Sequence, residues 1–389
     1  MPNKSVQAQS LENNAAELLK SEGFEEIRVL QEGNTVICTI ERGLYRTPAE
    51  DFRHALLQLN SRYPDSCQFR IILLEQGQPL YQITAEKTGR KNKQPGETNL
   101  DEHQFEGEIS YYDEKTYQKV KKEPVHRPVH TGLTLTIYPQ ITIRNIHNDR
   151  LYEKQFNLAP VLQYSGWKGM LLTGQLIFPL FNELGYVDNF IRPGFMTFSQ
   201  NFSLPGWNSL RFTVGNFNKN SYGLDLRWKK RFQHSRWNLG ANIGLTGSSY
   251  IYDRYWLHSP MNRFSWNVKA GYYLPSVQIQ ADIQAGQFLA NDEGVRADLY
   301  RHFGEVTIGF YAGYAGDRLN GGFHFAFPLD PFKRKHNSRF RMLLPASFDN
   351  EYNASDEFVY GRYYETRPDE NRSVQDLPPQ FINNIFFNP

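Results

Sequence analysis

The stretch VQIQADIQAGQFLANDEGVRADLYRHFGEVTIGFYAGY, from Val277 to Tyr314, decides the fold class of this chain. Apolar and polar residues alternate one by one in VQIQADIQAG, and the alternation resumes in VRADLY and in VTIGFYAGY. Successive side chains of a strand point to opposite faces of a sheet, so each run predicts a strand with one apolar and one polar face. The segments LANDEG and RHFGE, which separate the runs, predict turns.

The same alternation extends over most of the chain between Gly132 and Pro328. It is seen in LTLTIYPQITIR (133–144), WNLGANIGL (237–245) and FSWNVKAGY (264–272). We count about twelve such runs, each near the ~9–11 residues that a tilted strand needs to cross a bilayer. Two runs nearer the C-terminus, RFRMLLPASF and EFVYGRYYETRP, would raise the number to about fourteen if they also pair.

The connections between the runs favour a membrane barrel over a soluble sandwich. Short turns such as LPGWN and LPSV fall on one side, whereas longer segments such as FNELGYVDNF and GSSYIYDRYWLHSPMN fall on the other. This asymmetry is typical of outer-membrane barrels, whose longer loops face outward. A soluble β-sandwich remains the alternative, although its strands are usually only ~5–6 residues long. We therefore predict a mainly β protein, an antiparallel outer-membrane β-barrel.

The composition is compatible with this fold and argues against nucleic-acid binding. The formal net charge of the 389-residue chain is only +2, so no global positive field would attract a polyanion. Aromatic residues make up 15% of the chain. The mean hydropathy of −0.60 is typical of a soluble protein. A membrane barrel can have the same value, because the inner face of each strand is polar. The N-terminal segment lacks the apolar core of a signal peptide, so we expect a mature form if the protein is exported.

Four segments can be separated along the chain. The pattern of residues 1–87 predicts a small α+β domain of order α-β-β-α-β-β. Thr47 and Pro48 mark the start of its second helix. Residues 88–130 are polar and turn-rich and predict a linker, residues 131–330 the barrel, and residues 331–389 a tail. The tail would lie in the periplasm or add strands to the barrel.

The two cysteines, Cys38 and Cys67, both lie in the first segment. A disulfide, two buried thiols and a two-ligand metal site are all compatible with their positions.

Several motifs resemble the YjbH family of outer-membrane proteins associated with exopolysaccharide and capsule biosynthesis. They are GQFLANDEG (286–294), the pair Arg301 and Phe303, the run GFYAGY, and the closing segment GGFHFAFPL (321–329). The first domain, with Tyr45 and Arg46 before its helix, looks like the domain that precedes a barrel segment in that family. The resemblance implies a role in making, exporting or assembling a surface polysaccharide, and it carries over no catalytic residues.

Residues on the polar face of the barrel strands are the first candidate site. Amides and charges in a barrel lumen suit hydrogen bonding to sugar hydroxyls, and they equally suit a packed interior. The candidates for contact with the lumen or a polysaccharide are Gln278, Gln280, Asp282, Gln284, Asp225, Arg227 and Lys269.

The loop GSSYIYDRYWLHSPMN supplies the second candidate site. Its aromatic rings could stack on sugar rings, or they could form an interfacial girdle. These candidates are Tyr250, Tyr252, Tyr255 and Trp256.

We expect a non-enzymatic binding or conduit role, and the resemblance to the YjbH family implies that it serves exopolysaccharide or capsule synthesis, export or assembly. The expected location is the bacterial outer membrane, with the N-terminal domain in the periplasm. The expected partners are outer-membrane lipid, the polysaccharide and periplasmic export or biosynthesis proteins, with no nucleic acid, cofactor or metal. Two alternatives stay open: an outer-membrane enzyme acting on lipid or glycan, in which Asp225 and Asp282 could pair, and a soluble all-β carbohydrate-binding protein.

Overall fold

The computed structural model describes residues 6–64, 66–87, 105–128, 132–145, 152–233, 235–334, 340–354, 360–370 and 377–387. These residues form two compact units. The first unit contains the described residues up to 128 together with 332–334 and 377–387. The second contains 132–331 and 340–370. No helix within these ranges is both long enough and apolar enough to cross a lipid bilayer.

The first unit is built on a five-stranded sheet of order β1-β2-β3-β4-β5. The pair β2–β3 is parallel and the other neighbours are antiparallel. Thr47 caps α2 by accepting a hydrogen bond from the Glu50 amide, and Pro48 opens the helix, as the sequence predicted. The elements are α1 (Val6–Glu22), β1 (Arg28–Glu32), β2 (Thr35–Glu41), α2 (Pro48–Asn60), β3 (Gln68–Glu75), β4 (Gln78–Lys87), β5 (Phe105–Tyr111), α3 (Glu114–Val120) and α4 (Pro379–Phe387).

The described part of the predicted linker, residues 105–128, is folded as part of the first unit. Residues 105–111 form β5, which pairs along its whole length with β4, and α3 follows it. Ile109 and Tyr111 are buried, so this polar-looking segment still contributes one apolar face to the unit. Residues 88–104 lie outside the described residues. The first domain therefore extends well beyond residue 87.

The predicted tail at 331–389 is divided between the two units. Helix α4 belongs to the first unit, where the Asn383 side chain accepts a hydrogen bond from the Ile109 amide at 2.9 Å. Tyr81 also donates to the Leu377 carbonyl at 2.6 Å. Hydrogen bonds between residues this far apart leave no local pattern in the sequence. The sequence therefore could not decide whether the segment packs on the first domain or adds strands to the barrel.

Both cysteines of the first unit are free and buried. Cys38 lies in the middle of β2, where burial raises the pKa of its thiol. Of the three alternatives drawn from the sequence, the structure therefore matches two buried thiols.

The second unit is one large sheet in which strands adjacent in sequence pair as antiparallel neighbours. Twelve long strands run in the order β6-β7-β8-β9-β10-β11-β12-β14-β15-β16-β17-β18. They are β6 (Leu133–Asn145), β7 (Tyr152–Tyr164), β8 (Met170–Asn182), β9 (Arg192–Leu204), β10 (Asn208–Phe217), β11 (Ser221–Arg231), β12 (Trp237–Tyr252), β14 (Arg263–Leu274), β15 (Ile279–Gln287), β16 (Glu293–Phe303), β17 (Val306–Ala315) and β18 (Arg318–Pro328). A 3-10 turn (Tyr186–Asn189) precedes β9, and β13 (Tyr255–His258) pairs only with β12.

One interrupted strand joins the two ends of this sheet. Its first half, β19 (Phe340–Leu343), pairs in parallel with β6, and its second half, β20 (Ser347–Asn353), pairs antiparallel with β18. Only Leu344–Ala346 separates the halves. The predicted number of about twelve strands matches the long strands. Counting the two short strands β19 and β20 gives fourteen in the strand order, which matches the alternative number. RFRMLLPASF supplies β19 and the start of β20, whereas the described part of EFVYGRYYETRP forms no strand.

The alternation read from the sequence is confirmed along the strands. Large apolar side chains on one face are exposed, and they include Ile243, Val268, Ile283, Leu299 and Phe310. Polar side chains on the other face are buried, and they include Thr213, Asp225, Asn267, Asp282 and Asp298. An apolar outer surface around a polar interior is the pattern of an outer-membrane β-barrel rather than of a soluble sandwich, whose core is apolar.

Candidate functional site in the barrel lumen

Six of the seven predicted lumen residues lie on the inward face of the barrel. Asp225, Gln280 and Asp282 are buried, and Arg227, Lys269 and Gln284 are half-buried. They belong to strands β11, β14 and β15, and all alternate with outward apolar positions. Their orientation follows directly from the two-residue period of a strand.

Gln278 is the exception, because it lies in a turn rather than in a strand. Strand β15 begins at Ile279, and Gln278 has a φ of 54° in the turn that follows Leu274. Its carbonyl accepts a hydrogen bond from the His302 amide. The alternation of VQIQ suggested an earlier strand start, but the chain needs a left-handed residue here to reverse direction.

Lys269, Asp282 and Gln280 form one lumen group. The Lys269 Nζ lies 2.7 Å from an oxygen of Asp282, and the Gln280 amide donates to the same carboxylate at 3.1 Å. All the polar atoms in these contacts come from neighbouring strands of the wall. The group therefore fastens β14 to β15 across the lumen face.

Asp225 is the centre of a second lumen group. Its carboxylate accepts hydrogen bonds from Arg227 Nε at 2.9 Å, from the Asn242 side chain at 2.6 Å and from the hydroxyl of Tyr364 at 2.9 Å. Tyr364 does not belong to the wall. It lies more than a hundred residues further along the chain, in a segment that enters the lumen.

That segment, residues 360–370, is called here the lumen tail. Near its start the Gly361 amide donates to Asp292, in the turn between β15 and β16. Further along, Glu365 exchanges hydrogen bonds with Asn218, in the turn between β10 and β11. The tail then continues toward the inward side chain of Arg211 on β10. It thus runs into the barrel past the strand ends that carry these two turns.

Aromatic packing holds the first half of the lumen tail. The rings of Tyr364 and Phe217 stack with centroids 5.0 Å apart, and Tyr363 lies against Tyr364 at 4.7 Å. These residues form one buried cluster with Phe288, Leu289 and Ala315 from the wall. The wall accommodates Tyr364 at Gly244, where a Cβ atom would come within 1.8 Å of the tyrosine hydroxyl.

Charge pairing holds the second half of the lumen tail. The carboxylate of Glu370 pairs with Arg211 through one oxygen and with Arg227 Nη1 at 2.7 Å through the other. The Thr366 amide adds a hydrogen bond at 2.8 Å. Burial alone would raise the pKa of Glu370, but the guanidinium groups of Arg211 and Arg227 hold this pKa well below its usual range. Glu370 is therefore ionised and serves as the counter-ion of both arginines.

A third group, which the sequence did not single out, lies on the wall formed by β16, β18 and β20. Arg296 contacts Asp298 and Glu351, each at 2.8 Å. His324 lies between the same two carboxylates, 3.1 Å from Asp298 and 3.2 Å from Glu351. The group stabilises the pairing of β18 with β20, which helps to bridge the ends of the sheet.

The lumen tail leaves a cavity of about 660 Å³ within the second unit. Residues from the first strands of the barrel line one side, and they include Gln155, Asn157 and Gln175. Residues of β16, β17, β18, β20 and the lumen tail also line it, together with the turn between β10 and β11 and the end of β12. Strands from both ends of the sheet, β6–β8 at one end and β18 and β20 at the other, line the same cavity. The sheet therefore curves round into a barrel. Its volume is in the range of ligand-binding pockets.

The predicted aromatic loop is a protruding β-hairpin. Strand β12 continues to Tyr252 and pairs there with β13, with Tyr252 opposite Tyr255. The side chains of Tyr250, Tyr255 and Trp256 are exposed, and the side chain of Tyr252 lies outside the described residues. The Trp256 indole donates to Ser249 at 3.1 Å. The rings of Tyr250, Tyr255 and Trp256 do not line the cavity, although Ser249 and Ile251 on the same hairpin do.

The carboxylates of the lumen are placed for pairing rather than for acid–base chemistry. Asp225, Asp282, Asp298 and Glu370 each have a cationic partner within 3 Å. Within the described ranges, no cluster of three or more His, Cys, Asp or Glu side chains could hold a metal ion.

Comparison with known proteins finds solved structures with low similarity scores and no family. No protein-family model and no curated protein matches the chain. Among solved structures, a loop L8 deletion mutant of OmpT, an outer membrane protein of Vibrio cholerae, is similar at 8% identity and a TM-score of 0.28, covering 50% of this chain and 87% of its own. A mutant of the Rh. blastica porin is similar at 9% identity and a TM-score of 0.26, covering 50% and 89%. With scores this low, the fold assignment depends on the strand pairing and the two faces of the sheet.

Proposed function

We propose that this protein is an outer-membrane barrel that binds a polysaccharide in its lumen and assists the synthesis, export or surface assembly of exopolysaccharide or capsule. The observation that carries the proposal is the lumen tail. It occupies part of the interior and leaves a bounded polar cavity, as expected of a binding component rather than of a wide open channel. The sequence resemblance to the YjbH family supplies the class of polymer.

The outward face of the barrel supports the location. Exposed large apolar side chains on consecutive strands would be costly in water and favourable in lipid. The soluble alternative lacks this support. The enzyme alternative is weakened because Asp225 is paired with Arg227 and Asp282 with Lys269. A catalytic carboxylate pair needs one carboxylate that is free to act as nucleophile or base.

Deletion of the gene tests the proposal. We expect cells without the protein to lose surface polysaccharide, measured by binding of a polymer-specific dye or lectin, and to regain it with the wild-type gene. The protein should fractionate with the outer membrane and migrate faster on gels when it is not boiled. Unchanged polysaccharide in the deletion strain would contradict the proposed role.

A single substitution at Gly244 tests the lumen tail as a partial plug. In Gly244→Ala the new methyl group overlaps the Tyr364 hydroxyl, so we expect the tail to loosen. Planar bilayers containing the variant should carry a larger ionic current than those containing the wild type. Gly240→Ala on the same strand is the matched control, because its Cβ would find its nearest neighbours at 3.7 Å. Equal currents for all three proteins would show that the tail does not restrict the lumen.

A further inference from the structure

The lumen cavity contains buried polar atoms that no other group satisfies. Gln155 Nε2, Asn157 Oδ1 and Gln175 Nε2 have no hydrogen-bond partner in the described part of the chain. Their residues are only 4%, 4% and 1% exposed, and all three line the cavity. We call them the amide wall. A buried amide group without a partner costs free energy, so such a cluster calls for a specific reason.

Other buried polar atoms of the barrel also have no partner in the described residues, such as the Thr246 hydroxyl, but Thr246 does not line the cavity. On the opposite side the charged groups pair among themselves, as the Lys269–Asp282 and Arg227–Glu370 contacts show. The polar atoms of the amide wall come from β7 and β8, two adjacent strands. The hydroxyls of Thr173 on β8 and Thr197 on β9 are likewise unsatisfied and buried nearby on the same inner face.

The chemistry of these atoms defines the ligand. An amide group both donates and accepts hydrogen bonds but has no charge, which matches hydroxyl groups. Phosphate, sulfate or uronate groups would need a cation beside them, and the amide wall supplies none; Lys219, which also lines the cavity, lies in the turn between β10 and β11 and not on β7 or β8. We propose that the amide wall is a binding subsite for a neutral oligosaccharide segment, held between β7–β8 and the lumen tail. The inference rests on the proposed function, whose polymer it narrows to an uncharged stretch of sugar.

Titration calorimetry on the full-length protein tests the subsite. The protein should be held in an amine-oxide detergent, because detergents with sugar headgroups would compete for the cavity. We expect at least one of the neutral probes maltohexaose, cellohexaose and chitohexaose to bind, and the hexamer of galacturonic acid not to bind. Failure of all three neutral probes, or equally tight binding of the uronate hexamer, would overturn the proposal.

Variants of the amide wall separate a binding role from a structural one. We expect Gln155→Leu/Asn157→Leu to weaken binding of the neutral probe about tenfold or more, because at least two hydrogen bonds are lost. Its thermal midpoint should stay the same or rise, because buried polar atoms without partners have been removed. A clear drop in the midpoint with unchanged affinity would assign the amides to stability and overturn the inference. Gln155→Met, which is closer in shape, provides a milder second variant with a smaller loss expected.

Gln163→Leu is the matched control. Gln163 is also an inward glutamine, on β7 like Gln155, but it does not line the cavity. Its replacement should leave the affinity for the neutral probe unchanged. If the deletion strain keeps its polysaccharide while the purified protein binds neutral sugar through the amide wall, the proposed function fails and the subsite stands. If the strain loses its polysaccharide but the variants bind normally, the reverse holds.

Discussion

Replacing Glu370 by glutamine is expected to release the lumen tail from the barrel wall. The substitution removes the counter-ion that Arg211 and Arg227 share; Arg227 keeps its contact with Asp225, so the charge left without its partner is that of Arg211. Removing one partner of a buried ion pair typically costs about 3–5 kcal/mol, because the remaining charge stays buried and unpaired. The ion pair therefore provides a large part of what holds this segment, beside the aromatic packing of Tyr363 and Tyr364.

Protease sensitivity measures this release. Trypsin should cut the Glu370→Gln protein after Arg362, within the tail, and leave the wild type intact there. Asp369→Asn is the matched control, since the Asp369 side chain is 45% exposed and pairs with Arg367 at 3.3 Å. Because the Asp369 carboxylate is in contact with water whereas the Glu370 side chain is only 2% exposed, loss of the Asp369 charge should cost much less. Equal protection of Glu370→Gln and wild type would contradict the assigned role of the ion pair.

The same ion pair predicts the pH dependence of the tail. The two arginines lower the pKa of Glu370, so the folded state favours the ionised form of this side chain more than the unfolded state does. Its stabilising contribution is therefore present above the unfolded pKa of about 4.3 and is lost only as the pH falls through the lower folded value. Hydrogen exchange of residues 360–370 should stay slow from neutral pH down to about pH 4, where an ordinary glutamate is already half protonated. A rise in opening near pH 5 would speak against this pairing.

The second large effect is expected on the outer face of the barrel. Ile283 is the central residue of β15 and is 62% exposed on the apolar side. An arginine near the middle of a bilayer costs about 2–4 kcal/mol in a membrane barrel, falling to about 0–1 kcal/mol near the interface. Ile283→Arg should therefore reduce the stability of the barrel in lipid, measured by urea unfolding in vesicles.

Val277 gives the control for depth. It is also exposed, but it lies in the turn before β15, at the end of the strand. Val277→Arg introduces the same side chain and should cost much less than Ile283→Arg. If the two variants lose the same stability, or if neither is affected, the outer face is not the lipid-contacting surface.

The prediction of the lumen face succeeded because it depends only on a local rule. Side chains alternate across a strand, so Gln280, Asp282 and Gln284 had to share one face once the apolar set faced the other way. The same rule correctly placed Asp225, Arg227 and Lys269. It failed at Gln278, because the position of a turn depends on where the chain reverses and not on alternation.

The lumen tail could not be predicted from the alternation of side chains. One pair of residues in the strands nevertheless indicates that an acidic partner is needed. In the hairpin β10–β11, Arg211 lies directly opposite Arg227. Like charges across a strand pair repel each other, so this pair requires an acidic partner from elsewhere. The register of the hairpin would have revealed the need for a counter-ion, but not that Glu370, 159 residues beyond Arg211, supplies it.

The sequence by itself determined that this protein is an antiparallel sheet of about twelve long strands with an apolar outer and a polar inner face, because period-two alternation is a local property of the chain. Only the tertiary structure decided how the ends of the sheet are joined, by β19 and β20, and what the polar face surrounds. Those features depend on contacts between residues far apart in the chain, such as Tyr364 with Asp225 and Glu370 with Arg227. No local pattern encodes such contacts, since their free energy exists only once the barrel brings both partners into one buried interior.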